Sequence, residues 1–328
     1  MKKTILYIVL LLSTSFLFAQ GSLTFNPLTP SVTNGIVDFT FDLVGGGAEY
    51  DLSVEVSFDG GSDWNDIDPS YITGQLENVT PTAGISLEWD ALSSFPGQVT
   101  SNALLRVTAR HVCGTDFTFT YRNDQVTYGT VSKTYNEGTV DEFTLCWFDR
   151  NLGASQQATS STDADAYGDL FQWGRGDDGH QDRTSTTTST LSTTDDPGHG
   201  EFITVGSSPF DWRDGQNNNL WQGGENDNNP CPPGWRVPTE AELEAEHLSW
   251  GTGNQNSAGA YASTLKWPVG GGRDTNGTLR DVGSLGRVWS SSVSGSNASY
   301  LLFTSGLASI SSYIRAYGLS VRCVREQP

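Results

Sequence analysis

The chain has 328 residues, with 38 acidic side chains against 18 lysines and arginines, a net charge of −20 at neutral pH. Such acidity argues against nucleic acid and anionic membranes as partners, because both would be repelled. Apolar residues make up 36%, with ten tryptophans, which is enough to build cores and argues against a disordered chain.

The first residues read as a secretory signal peptide over 1–19. Lys2 and Lys3 form a basic start, Ile5 to Leu12 an apolar run, and Ala19 a small residue for cleavage. The run is too short to span a bilayer, no later run is long enough, and no cysteine follows it to take a lipid. Loss of the two lysines takes the charge from −20 to −22. About 308 residues then remain, which suits two domains better than one.

Residues 20–125 predict an all-β sandwich. Val37, Phe39, Phe41 and Leu43 alternate with polar neighbours, as do Leu52, Val54, Val56 and Phe58. Glycine clusters at 45–47 and 60–61 mark the turns. The stretch SVEVSFDGGSDW resembles the strand–turn–strand of immunoglobulin-like or fibronectin-like modules in bacterial surface proteins, which implies that fold here. Asp59, Asp63, Asp66 and Asp68 read as a solvated acidic turn.

A compositional shift at about Gln125 opens a second domain, 126–328, which holds eight of the ten tryptophans. Residues 184–196 and 214–229 are loops, rich in hydroxyl residues and in Gly, Asn and Asp respectively. The stretch NPCPPGWRVPTEAEL, 229–243, then delivers the chain through stiff prolines to a helix start. Thr239 with Glu242 forms a capping box, Leu243, His247 and Trp250 make one apolar stripe, and Trp235 reads as a core anchor. The closing segments, around VWSSS, YLLFT and GLSVRCV, read as strands, with Cys323 on the inward face of the last.

Five blocks in this order, CWFDRNLGAS, AYGDLFQWGR, NPCPPGWRVPTEAEL, VWSSS and GLSVRCVR, resemble the Fibrobacter succinogenes major paralogous domain family over about 128–326. The resemblance implies an α+β, loop-rich fold similar to C-type lectins and to the formylglycine-generating sulfatase-modifying enzymes, and it carries no established activity. Those enzymes bind copper through two cysteine thiols. Here the inward phase of Cys323 and the stiff turn at Cys231 favour a disulfide between them instead, with a second from Cys113 to Cys146 across the domain junction.

Other catalytic patterns are thin: four histidines, no HExxH and no GxSxG. Asp177, Asp178, His180 and Asp182 gather in DDGHQD, which reads as a structural loop before a metal or acid–base site. Two loops carry the aromatic, amide and carboxylate inventory of carbohydrate sites. Trp221, Glu225, Asn226, Asp227 and Asn228 form the candidate ligand site, and Asp274, Asn276 and Asp281 the candidate calcium site. Neither is an EF-hand, and the Glu-Pro-Asn, Gln-Pro-Asp and Trp-Asn-Asp motifs of calcium-dependent lectins are absent. The expectation is an exported surface or secreted recognition protein with a glycan or protein ligand and calcium as the one candidate cofactor. The alternatives are an enzyme related to the sulfatase modifiers or a purely structural surface component.

Overall fold

The computed structural model describes residues 21–24, 31–98, 103–223 and 228–326; the predicted signal peptide lies outside them. The chain is β-rich with a few short helices and divides into two compact units, 1–118 and 119–328. The division falls just ahead of the compositional shift near Gln125.

The first unit holds β1 (Gly21–Thr24), β2 (Ser31–Thr33), β3 (Ile36–Gly45), β4 (Tyr50–Ser57), β5 (Asn65–Asp66), β6 (Ile72–Thr73), β7 (Ile85–Asp90), the one-turn α1 (Ala91–Ser94) and β8 (Leu104–His111). One antiparallel sheet runs β1-β3-β7-β6 with β2 also on β3, and a second runs β5-β4-β8. Both sheets feed one core: Val37, Phe39, Phe41 and Leu43 from β3, Leu87 and Trp89 from β7, Val54 and Val56 from β4, and Leu105 and Val107 from β8. The period-two alternation of β3 in the sequence is its alternation of buried and half-exposed residues. The acidic turn is closed by Asp59, whose carboxylate accepts from the Ser57 hydroxyl and the Ser62 and Asp63 amides.

A hairpin of β9 (Phe117–Tyr121) and β10 (Asp124–Tyr128) leads into the second unit. There follow β11 (Thr130–Tyr135), β12 (Phe143–Phe148), β13 (Phe171–Gln172), β14 (Thr187–Thr188), β15 (Phe202–Ile203), α2 (Glu240–Leu248) and α3 (Ser257–Ala262). The chain ends with β16 (Gly272–Arg273), β17 (Leu279–Arg280), β18 (Gly286–Ser294), β19 (Asn297–Phe303), β20 (Ala308–Ile314), β21 (Gly318–Leu319) and β22 (Val324–Glu326). Its sheets are small: β11-β12-β22, β13-β21-β16-β17, the β18-β19-β20 meander and the parallel pair β14-β15.

The proline-rich stretch ahead of α2 is a strap. Cys231 is disulfide-bonded to Cys323 with Cα atoms 5.8 Å apart, and Arg236 exchanges both backbone hydrogen bonds with Val324 at 2.9 Å. Trp235 is 2% exposed, its ring 4.2 Å from that of Phe148. The capping box is present, with Glu242 N to Thr239 Oγ1 at 3.3 Å and Thr239 N to Glu242 Oε2 at 2.7 Å. Leu243, His247 and Trp250 are buried as the stripe predicts, and Glu246 is buried with them. Cys113 and Cys146 are each in a disulfide as well, and no cysteine is free.

Long irregular segments leave backbone carbonyls that no ladder satisfies, and a buried carbonyl needs a donor. Buried arginines supply them here, each guanidinium carrying five N–H groups. Arg175 donates to Gln172 Oε1, Asp178 and the carbonyls of His199 and Glu201. Arg322 donates to Asn151 Oδ1 and the Leu265 carbonyl and lies 4.0 Å above the Trp267 ring. Arg315 stacks at 4.5 Å on Trp173 and takes the Asn217 carbonyl. Glu246 is the acceptor counterpart, fully buried and taking hydrogen bonds from Lys133, Tyr135, Trp250, Ser263 and Trp267 at 2.6–3.0 Å. Burial alone would raise its pKa; Lys133 and the other donors outweigh burial and hold the carboxyl below its ordinary value.

Candidate functional site

The DDGHQD segment is part of the core framework. His180 is fully buried, its Nε2 accepts from the Gln172 amide at 3.0 Å, and Nδ1 lies 2.5 Å from Asp178 Oδ1. A backbone N–H can only donate, so Nδ1 carries the proton and the ring is neutral. Burial and the neighbouring Arg175 push its pKa down to about 4. Burial opposes ionisation of Asp178, but His180 and Arg175 outweigh it and hold the carboxyl at about 2. Nearby, Asp169 accepts from the Tyr121 hydroxyl at 2.7 Å, and burial raises it to about 6 against the pull of Tyr121 and Arg122.

Of the candidate ligand loop, Trp221 lies in the core, which corrects its expected role as a binding face. It is 3% exposed, sits 5.6 Å from Trp173, and gives its Nε1 proton to the carbonyls of Arg175 and Asn228. Asn228 spends its amide on the carbonyls of Gly174 and Asp195. Glu225, Asn226 and Asp227 lie outside the described residues.

The candidate calcium residues do not converge. Asp274 Oδ1 accepts from the Asn276 and Thr278 amides, and Oδ2 from Arg280 Nε at 2.7 Å. Asp281 is paired with Arg287 at 2.7 Å instead. Each carboxylate already has its cation, and the described residues contain no cluster of three or more metal-ligating side chains.

What this loop builds is one wall of a cleft of about 430 Å³, lined by Ser189, Leu191, Thr204, Val205, Gly206, Ser207, Thr275 and Asn276. The parallel β14–β15 pair continues through Thr204 N to Thr188 O at 2.7 Å, and Val205 N reaches Thr275 O at 2.8 Å. Arg273 pins the loops beneath. It lies 4.3 Å from the Phe202 ring and donates to the carbonyls of Asp182, Ser185 and Gly277 and to the Ser185 hydroxyl. Gly277, at φ +87°, lets the turn close, since a Cβ there would lie 2.7 Å from Thr187 Cγ2.

The lining carries no titratable side chain. It presents the hydroxyls of Ser189, Ser207 and Thr275 and the Asn276 amide nitrogen, none of which donates a hydrogen bond among the described residues. Leu191 and Val205 add aliphatic surface. Sequence reasoning brought only Asn276 to this site. Ser189 and Leu191 lie in a hydroxyl-rich run read as featureless loop, and Thr204 to Ser207 bear no local signal. Compared with known proteins, the chain matches no family model, no curated protein and no solved structure.

Proposed function

We propose that this is an exported recognition protein whose second unit, a C-type-lectin-like module of the major paralogous kind, binds carbohydrate in the cleft between residues 189–191, 204–207 and 275–276. The observation that carries the reading is the lining. Free hydroxyls and an amide beside small aliphatic surface match the alternating hydroxyl and C–H character of a sugar ring, and a neutral site suits a neutral ligand. Two further facts support it: every cysteine is oxidised, as an exporting pathway permits, and no helix of the described residues is long and apolar enough to cross a membrane.

A glycan array probed with the full chain tests the proposal. The Ser207→Ala/Thr275→Val variant removes two hydroxyls that hold no internal bond, so the fold should melt as before. Each lost hydrogen bond should weaken sugar binding by roughly three- to tenfold. A full set of glycans without affinity, or hits indifferent to the double variant, contradicts it.

A further inference from the structure

The loop that walls the cleft continues onto an aromatic surface. Antiparallel pairing sets Arg273 of β16 opposite Gly318 of β21, and the Asp274 carboxylate just beyond is close enough to act on the Tyr317 phenol. Tyr317 stands edge-on to Tyr313, ring centroids 4.5 Å apart and planes at 89°. Tyr313 is 39% exposed, and strand alternation puts it on the same side of β20 as the exposed Ser311. Arg280 projects beside them with its side chain 52% exposed. Its Nε is held by Asp274, and its two terminal nitrogens make no hydrogen bond among the described residues. Asn276, the Asp274–Arg280 pair, Tyr317 and Tyr313 are thus linked neighbour to neighbour.

We infer that the cleft and the Tyr313–Tyr317 pair form one continuous groove for an extended oligosaccharide, not a site for a single sugar or a chain end. This rests on the carbohydrate reading of the cleft. A sugar ring carries C–H groups on its faces and hydroxyls at its rim. An exposed phenol ring packs against the first, and a planar guanidinium held by a carboxylate donates to the second. Units bound in the cleft supply the hydroxyl contacts, and units further along the chain cover the tyrosines. Burial, the Tyr313 hydroxyl and Asp274 push the Tyr317 phenol up to about 12, so it stays a neutral donor at any physiological pH. The charges along this strip are matched in the ion pairs Asp274–Arg280 and Asp281–Arg287, which favours a neutral glycan chain.

Titration calorimetry of the full chain with β-1,4-linked glucose oligomers, from the monosaccharide to the hexasaccharide, tests this. Affinity should rise with chain length. Tyr313→Ala should weaken the hexasaccharide by at least about fivefold, in line with truncation of an aromatic anchor, and leave the shortest ligand that binds unchanged. Tyr313→Phe, which keeps the ring and its packing against Tyr300 and Tyr317, should bind almost as wild type and melt with it. Affinity independent of length, or a Tyr313→Ala variant that holds the hexasaccharide as tightly as wild type, overturns the groove and leaves the cleft. No affinity for any member of the series also overturns the groove for these chains, while the cleft stands or falls with the glycan array.

Discussion

The two units solve the same problem, filling an interior, by different means. In the first, β3, β4, β7 and β8 send every second side chain inward, and the core is apolar, with Phe41 and Leu87 fully buried. The ladders satisfy the backbone, so the side chains need supply only area. In the second, sheets of two to four short strands leave long loops between them, and the interior is polar as well as aromatic. Arg175, Arg315 and Arg322 are at most 1% exposed, and Glu246 is fully buried. A fold with little regular structure must bring its own donors and acceptors inside, and those groups then decide which loop conformation survives.

The sharpest way to break this comparison is to remove a polar hub while keeping its shape. Glu246→Gln retains the volume but puts an NH2 group among the donors from Lys133, Tyr135, Trp250, Ser263 and Trp267. Loss of one partner of a buried charge pair costs about 3–5 kcal/mol, comparable to the cavity left by Phe41→Ala in the first unit. Denaturant melts of both variants should show losses of similar size; a near-neutral Glu246→Gln would mean that packing alone holds the second unit.

Next in size is the strap. The Cys231→Ser/Cys323→Ser variant opens a loop whose ends are 92 residues apart in sequence, and the loss should be about 2–5 kcal/mol. Thiol titration of the native wild-type protein should find no reactive cysteine, whereas two titratable thiols at these positions would return the copper-enzyme alternative to consideration.

Acid should act on the second unit through two opposed groups. His180 has its pKa lowered to about 4, so its contribution is complete above its unfolded value near 6.5 and is lost as pH falls toward 4. Asp169 is raised to about 6, so its contribution is complete below its unfolded value of 3.8 and is lost as pH rises through 6. Between pH 6 and pH 4 they offset one another. Asp169→Asn keeps an acceptor for Tyr121 and removes the second term, so the variant should lose about 2–3 kcal/mol more than wild type on going from pH 7 to pH 4. Parallel stability profiles would place the titration elsewhere. The smallest expected effect is Thr239→Ala, roughly 1 kcal/mol from the lost N-cap of α2, read as a small drop in melting midpoint.

The same contrast decides what could be read from the residues. Alternation in β3 and β4 is local, and so is the capping box at Thr239 and Glu242, because both depend on neighbours within a few positions. Trp221 among Asn and Asp looks like a sugar platform, and nothing nearby reveals that the Arg175 and Asn228 carbonyls hold its indole. The buried arginines carry no local mark of their burial, since their partners lie up to 171 positions away. One signal was available: Arg280 and Arg287 each follow an aspartate, Asp274 and Asp281, by six residues. That spacing was the hint that the acidic loop makes ion pairs and not a calcium cage.

The central claim is that loops pinned by these buried groups present a carbohydrate cleft. Hydrogen exchange of the full chain, with and without the strongest array hit, tests it most directly. Protection should appear in peptides covering residues 187–191, 204–207 and 273–280, with the strands of the first unit unchanged. Protection confined to the first unit, or absent from these three segments while the glycan is bound, would contradict the account.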